Sequence, residues 1–189
     1  MLPTIIRSRA IIFVDGENLT FRFQSMLDKG RKPKSLIQYE LDTFVWIPPI
    51  VNYSAWSLTR VSYYTSVAGD DVRLHQLAER LASIRYDYSG GFGFLNPHIF
   101  KKQKRGDKTK SVDINLVTDL LRHTYNHSID EVFLLTGDGD FLPTIHESMR
   151  QGLRVTVGAF SSGLDHRLKT QTDEFVDLDT MCFEVDEPA

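Results

Sequence analysis

Short, unbroken apolar runs recur along the chain, separated by longer amphipathic stretches. AIIFVD (10–15) is the first, an apolar run closing on an acid, and it predicts a strand buried on both faces. RVSYYTS (60–66), HIFKK (98–102), EVFLLT (131–136), LRVTVGAF (153–160) and EFVDL (174–178) repeat the pattern, with many β-branched and aromatic residues. Between these runs the period lengthens to that of a helix. Asn18, a good N-cap, starts one that reaches about Leu27. Leu74, Leu77, Ala78 and Leu81 stand at i, i+3, i+4 and i+7, the stripe of a second. Ser111 caps a third over 111–125, with Leu116, Val117, Leu120, Leu121 and Thr124 inward. Pro143 and Gly152 bound a fourth over 141–152, and a short one falls around 164–170. Strand and helix in alternation predict an α/β fold: a central, mostly parallel sheet of five or six strands with helices on both faces. Two stretches resist this reading. Residues 28–58 are aromatic-rich and broken by Pro48–Pro49, which forbids one long element. Residues 86–97, punctuated by glycines and a proline, read as loop or frayed strand.

Parallel strands share their carboxyl ends, and ligands bind there, near the point where strand order reverses. Asp15 closes the 10–15 run and Asp138 follows the 131–136 run, so both fall on that edge. Asp113, in the first turn of the 111–125 helix, stands three and four residues before Leu116 and Val117, and so points with the inner stripe toward the same edge. Asp140 sits beside Asp138, and Asn18 lies within one turn of Asp15. Asp119 is six residues from Asp113, roughly 120° off its direction on a helix, which leaves support for the site or a solvated face open. Each acid alone is also an ordinary cap or turn residue. Together, converging carboxylates repel one another unless a cation stands between them. Hard oxygen donors suit Mg²⁺ or Mn²⁺, and such an ion activates water for attack on a phosphodiester.

Charge and composition change the picture in two places. The net charge of the 189 residues is -3, yet KKQKRGDKTK (101–110) carries Lys101, Lys102, Lys104, Arg105, Lys108 and Lys110 against Asp107 alone. A solvated loop is the plain reading. Because the run leads straight into the helix bearing Asp113, it also suits a polyanion drawn toward the acids, with Lys110 nearest the site. The lone Cys182 allows no intramolecular disulfide and no cysteine-rich zinc cluster, which fits a reducing, cytoplasmic compartment. No apolar run nears the roughly 18 residues of a membrane span, and the first residues read as a strand and not a signal peptide. The length suits one domain over 1–189.

FVDGENL (13–19), KSVDINLVTDLL (110–121), LLTGDGDFLPTI (134–145), GLRVTVGAF (152–160) and LDHRLKTQTDEFVDL (164–178), in that order, resemble the NYN domains of the PIN-like nuclease superfamily, in particular its LabA-like branch. The resemblance implies a Rossmann-like PIN fold and a metal-dependent endoribonuclease acting on single-stranded or structured RNA. It implies Asp15, Asp113 and Asp138 as metal-binding acids, with Asn18, Asp119 and Asp140 in support. Residues 28–58 depart from the compact pattern; a lid, a contact with another copy, a protein partner surface and plain core are the readings open for them. Two other functions compete. One is a non-catalytic RNA-binding or regulatory module that keeps the fold. The other is a phosphatase using Asp138-Gly139-Asp140, although Phe141–Leu142 follow where that chemistry wants Thr or Val. Dinucleotide binding is weaker, since DGENL follows the first strand and no Gly-x-Gly-x-x-Gly loop does.

Overall fold

The computed structural model describes residues 8–102 and 110–185. The chain opens with β1 (Arg9–Asp15) and α1 (Gly16–Asp28), then a hairpin of β2 (Gln38–Glu40) and β3 (Phe44–Trp46) and a 3-10 turn at Pro48–Asn52. β4 (Ser57–Ala68), α2 (Asp71–Ala82), a second hairpin of β5 (Arg85–Tyr88) and β6 (Gly91–Phe94), and β7 (Asn96–Lys102) follow. Next come α3 (Lys110–Tyr125), β8 (Glu131–Leu135), a 3-10 turn at Gly139–Phe141, α4 (Leu142–Arg150) and β9 (Arg154–Ala159). α5 (Arg167–Thr170), β10 (Glu174–Asp177) and α6 (Leu178–Cys182) complete the order. Six strands form one sheet in the order β10-β9-β8-β1-β4-β7, and every neighbouring pair is parallel.

The packing of β1 shows why residues 10–14 are all apolar. Ala10, Ile12 and Val14 pack on one side of the sheet with α1, α2 and α6; Ile11 and Phe13 pack on the other with α3 and α4. A strand covered on both faces has no polar side to alternate with. The inner stripe of α3 is Val112, Leu116, Leu120 and Thr124, one residue per turn. Ser111 does not cap this helix, which already includes Lys110. Asn18 does not cap α1 either: the cap is Asp15, whose Oδ1 accepts the Asn18 N–H at 3.1 Å. An acid at that position satisfies a free amide and favours the positive end of the helix.

The 28–58 stretch sends its tryptophans and Phe44 into the core, while Leu36, Tyr39 and Leu41 stay exposed. Phe44, Trp46 and Trp56 are buried, and the Trp56 indole donates to Val51 O at 2.9 Å. The Tyr63 hydroxyl donates to Val45 O at 2.9 Å and accepts from Val45 N at 3.1 Å, which ties the first hairpin to β4. In the 86–97 stretch a strand–turn–strand pairs Tyr86 with Gly93 and Tyr88 with Gly91. A Cβ at Gly93 would collide with the Tyr86 ring, so the glycine is there to let the ring lie across it. Among the described residues no helix is long and apolar enough to cross a membrane.

Candidate functional site

β1 leads on toward β4 and β7, whereas β8 leads on toward β9 and β10. The carboxyl ends of β1 and β8, adjacent through the Val14–Leu135 pair, therefore form the switch point of the sheet. Asp15 stands there, 3% exposed. The Thr136 hydroxyl donates to Asp15 Oδ2 at 2.8 Å and accepts the Asp138 N–H at 3.2 Å. The Asn18 amide oxygen accepts the Gly137 N–H at 3.0 Å, and Asp138 Oδ1 accepts the Asp140 N–H at 3.0 Å. These bonds stitch the start of α1 to the end of β8 and hold Asp15 in one orientation. Burial pushes the Asp15 carboxyl up to about 7; the bonds from the Asn18 N–H and the Thr136 hydroxyl oppose that rise, and repulsion from Asp113 and Glu17 adds to it.

Asp15, Asp113 and Asp138 border one cleft, as expected, and Asn18 borders it with them. Asp113 reaches it differently from the expectation: it is exposed at the first turn of α3 and does not share the inward stripe. The β2–β3 turn supplies Asp42 and Thr43 to the lining, and reciprocal bonds between the Gln24 amide and Asp42, at 2.9 and 3.2 Å, fix the turn.

Other expected residues fall elsewhere. Asp140 is exposed and does not border the cleft; Asp138, not Asp140, caps the 3-10 turn that follows. Asp119 accepts from the Tyr64 hydroxyl at 2.9 Å and pairs with Arg122 at 3.1 Å, away from the cleft. Lys101 pairs with Asp71, and Lys110 is exposed at the start of α3. Lys104, Arg105 and Lys108 lie outside the described residues. Of the basic stretch, Lys102 borders the cleft, with its ammonium 3.9 Å from Glu17 and only 13% of its side chain exposed. Glu17, Ser66, Thr136, Phe21 and Arg22 escaped the sequence reading. Glu17 accepts from the Ser66 hydroxyl and stands next to the expected DG pair. Gly137 and Gly139 are not at positive φ. A Cβ at Gly139 would instead collide with the Asp165 carboxylate, so this glycine answers to close approach and not to handedness.

The acids and hydroxyls lining the cleft offer oxygen donors, the kind Mg²⁺ and Mn²⁺ prefer, and no His or Cys among the described residues lines it. Among the described residues no three His, Cys, Asp or Glu side chains gather into a group that could enclose an ion.

The sheet order and the helices on both faces define a Rossmann-like fold of the PIN type. A family model described as the NYN domain matches residues 9–179, and the chain belongs to that family, within the PIN-like nuclease superfamily. NYN domains are generally hydrolytic ribonucleases, and PIN-like nucleases usually use divalent metals. The chain shares its fold with VPA0982, a protein of unknown function from Vibrio parahaemolyticus RIMD 2210633, at a TM-score of 0.62 and 17% identity over 97% of this chain and 100% of that one. No curated protein matches the sequence.

Proposed function

We propose that the chain is a Mg²⁺- or Mn²⁺-dependent endoribonuclease that hydrolyses RNA phosphodiester bonds in the cleft at the β1–β8 switch point. The observation that carries the reading is Asp15, a buried carboxylate facing a cleft that Asp113 and Asp138 also border. Asp15, Asp113 and Asp138 are the residues that would hold the ion. Such an ion, when bound, would supply an activated water and offset charge on the leaving oxygen. Asn18 and Thr136 orient Asp15, and Lys102 adds positive charge beside the acids. The family match over 9–179 supports one domain with 28–58 as its insertion, and the single buried Cys182 suits a reducing cytoplasm.

The test is incubation of the protein with labelled single-stranded RNA, structured RNA and DNA, in Mg²⁺, Mn²⁺ or EDTA. Internal cleavage of RNA that EDTA stops is expected. Asp15→Asn keeps a capping oxygen for α1 and should fold; undiminished cleavage by that variant sinks the assignment. A non-catalytic RNA-binding module is the competing reading, favoured by the lack of a gathered metal cluster among the described residues. It predicts RNA binding that survives both EDTA and Asp15→Asn, with no cleavage by the parent.

A further inference from the structure

Arg22 is a cation beside an acidic cleft, yet nothing described neutralises it. It stands one turn beyond Asn18 on α1 and borders the same cleft as Asp15 and Asp138. Its Nε is buried and finds no hydrogen-bond partner, and no carboxylate among the described residues pairs with it. A buried donor left unpaired is costly, and a guanidinium carries five donors in a planar fork that matches a phosphate.

The side chain lies in a slot built for it. Gly163 has φ +65, and a Cβ there would collide with the Arg22 guanidinium. The loop carrying Gly163 is pinned on both sides: Ser162 Oγ meets Ser25 Oγ of α1 at 3.1 Å, and the Asp165 N–H donates to Gly137 O at 3.0 Å. Next to Arg22 stands Phe21, 65% exposed at the cleft, with the guanidinium carbon 5.2 Å from its ring centre. A largely exposed ring with a guanidinium over one of its faces, at the rim of the acids, matches the two halves of a nucleotide. Aromatic faces stack bases of any sequence, and only unpaired bases are free to stack on them.

Resting on the nuclease reading, we propose that Arg22 and Phe21 form a subsite for one nucleotide of single-stranded RNA beside the scissile bond. Arg22 takes its backbone phosphate, and Phe21 stacks its base.

Binding to a labelled 12-nucleotide single-stranded RNA, followed by fluorescence anisotropy against salt in the Asp15→Asn background, separates the subsite from cleavage. Arg22→Gln is expected to weaken binding about tenfold and to reduce the slope of log affinity against log salt by about 0.7, one phosphate contact on a single strand. Arg22→Lys, which keeps a charge, should hold the slope. Phe21→Ala should weaken binding about tenfold with the slope unchanged, and should have no effect on a duplex of the same sequence. Gly163→Ala should act like Arg22→Gln without removing a charge. If Arg22→Gln leaves the slope unchanged, Arg22 serves only the fold and the subsite is overturned, even where the parent cleaves RNA. If the parent never cleaves RNA but Arg22→Gln still lowers the slope, the subsite stands and the hydrolytic reading falls. Failure of the parent to bind RNA overturns both.

Discussion

At the amino end of β1, Asp130 accepts from the Arg9 backbone N–H at 2.8 Å, from Nε at 3.1 Å and from Nη2 at 2.8 Å. The pair is half exposed, and the Arg9 guanidinium holds the Asp130 carboxyl down to about 2. At the carboxyl end of the same strand, Asp15 is buried, has two neutral donors and faces further carboxylates, and its carboxyl is pushed up to about 7. One acid is placed where its charge is easy to keep and the other where its charge is hard to keep. The first arrangement serves the fold. The second caps α1 and ties it to the end of β8, yet it buries a charge that an arriving cation would offset.

The largest effect expected from this contrast is on cleavage. Asp15→Asn should lower RNA hydrolysis by about 10³-fold, the scale of losing one well-placed charge at a reacting centre, measured as the initial rate on labelled RNA. Second comes stability without divalent metal. The folded value of Asp15 lies above that of an exposed aspartate, so the folded chain holds an extra proton between pH about 4 and about 7. Its contribution is fully present below pH about 4 and is lost as pH rises through about 7. At pH 8 in EDTA, Asp15→Asn should therefore unfold at higher denaturant than the parent, by at most about 4 kcal/mol, with the gain vanishing near pH 4. Equal stability of the two at pH 8 would break the comparison.

Third, a divalent ion should repair the parent. At a hundred times its dissociation constant, Mg²⁺ or Mn²⁺ should add about 2.7 kcal/mol to the parent and little to Asp15→Asn, read from unfolding midpoints. Smallest is the other end of the strand. Asp130→Asn should cost under about 1 kcal/mol, because the pair is half exposed and screened by water, and cleavage should be unchanged. The Asp130 contribution is present above pH about 4 and lost as pH falls through about 2, so it does not overlap the Asp15 window.

How far these features were legible in the sequence depends on where each signal lives. AIIFVD and EVFLLT read as buried strands because both of their faces are covered, and α2 read as a helix because its stripe meets the sheet. The hairpins did not: the β5–β6 pair rests on a cross-strand fit of Tyr86 over Gly93, which no run of neighbouring residues encodes. α6 escaped because its five residues are held by an Asp177 cap and by burial of Leu178 and Cys182, with too little length for a period. The same divide runs through the site. Asp15 and Asp138 were legible as acids at strand ends. Arg22 was not, since its lack of partners is visible only once the Gly163 loop has folded over it. Asp119, ambiguous by angle, belongs to the Tyr64 hydroxyl.

The bond from the Gly137 N–H to the Asn18 side chain joins residues 119 positions apart in the chain. Asp15 and Asn18 leave the ribosome well before Thr136, Gly137 and Asp138. Until β8 is made, a growing chain therefore carries only half of the clasp and an incomplete cleft. The cleft closes only when β8 joins β1, with β9 and β10 still to add to the sheet.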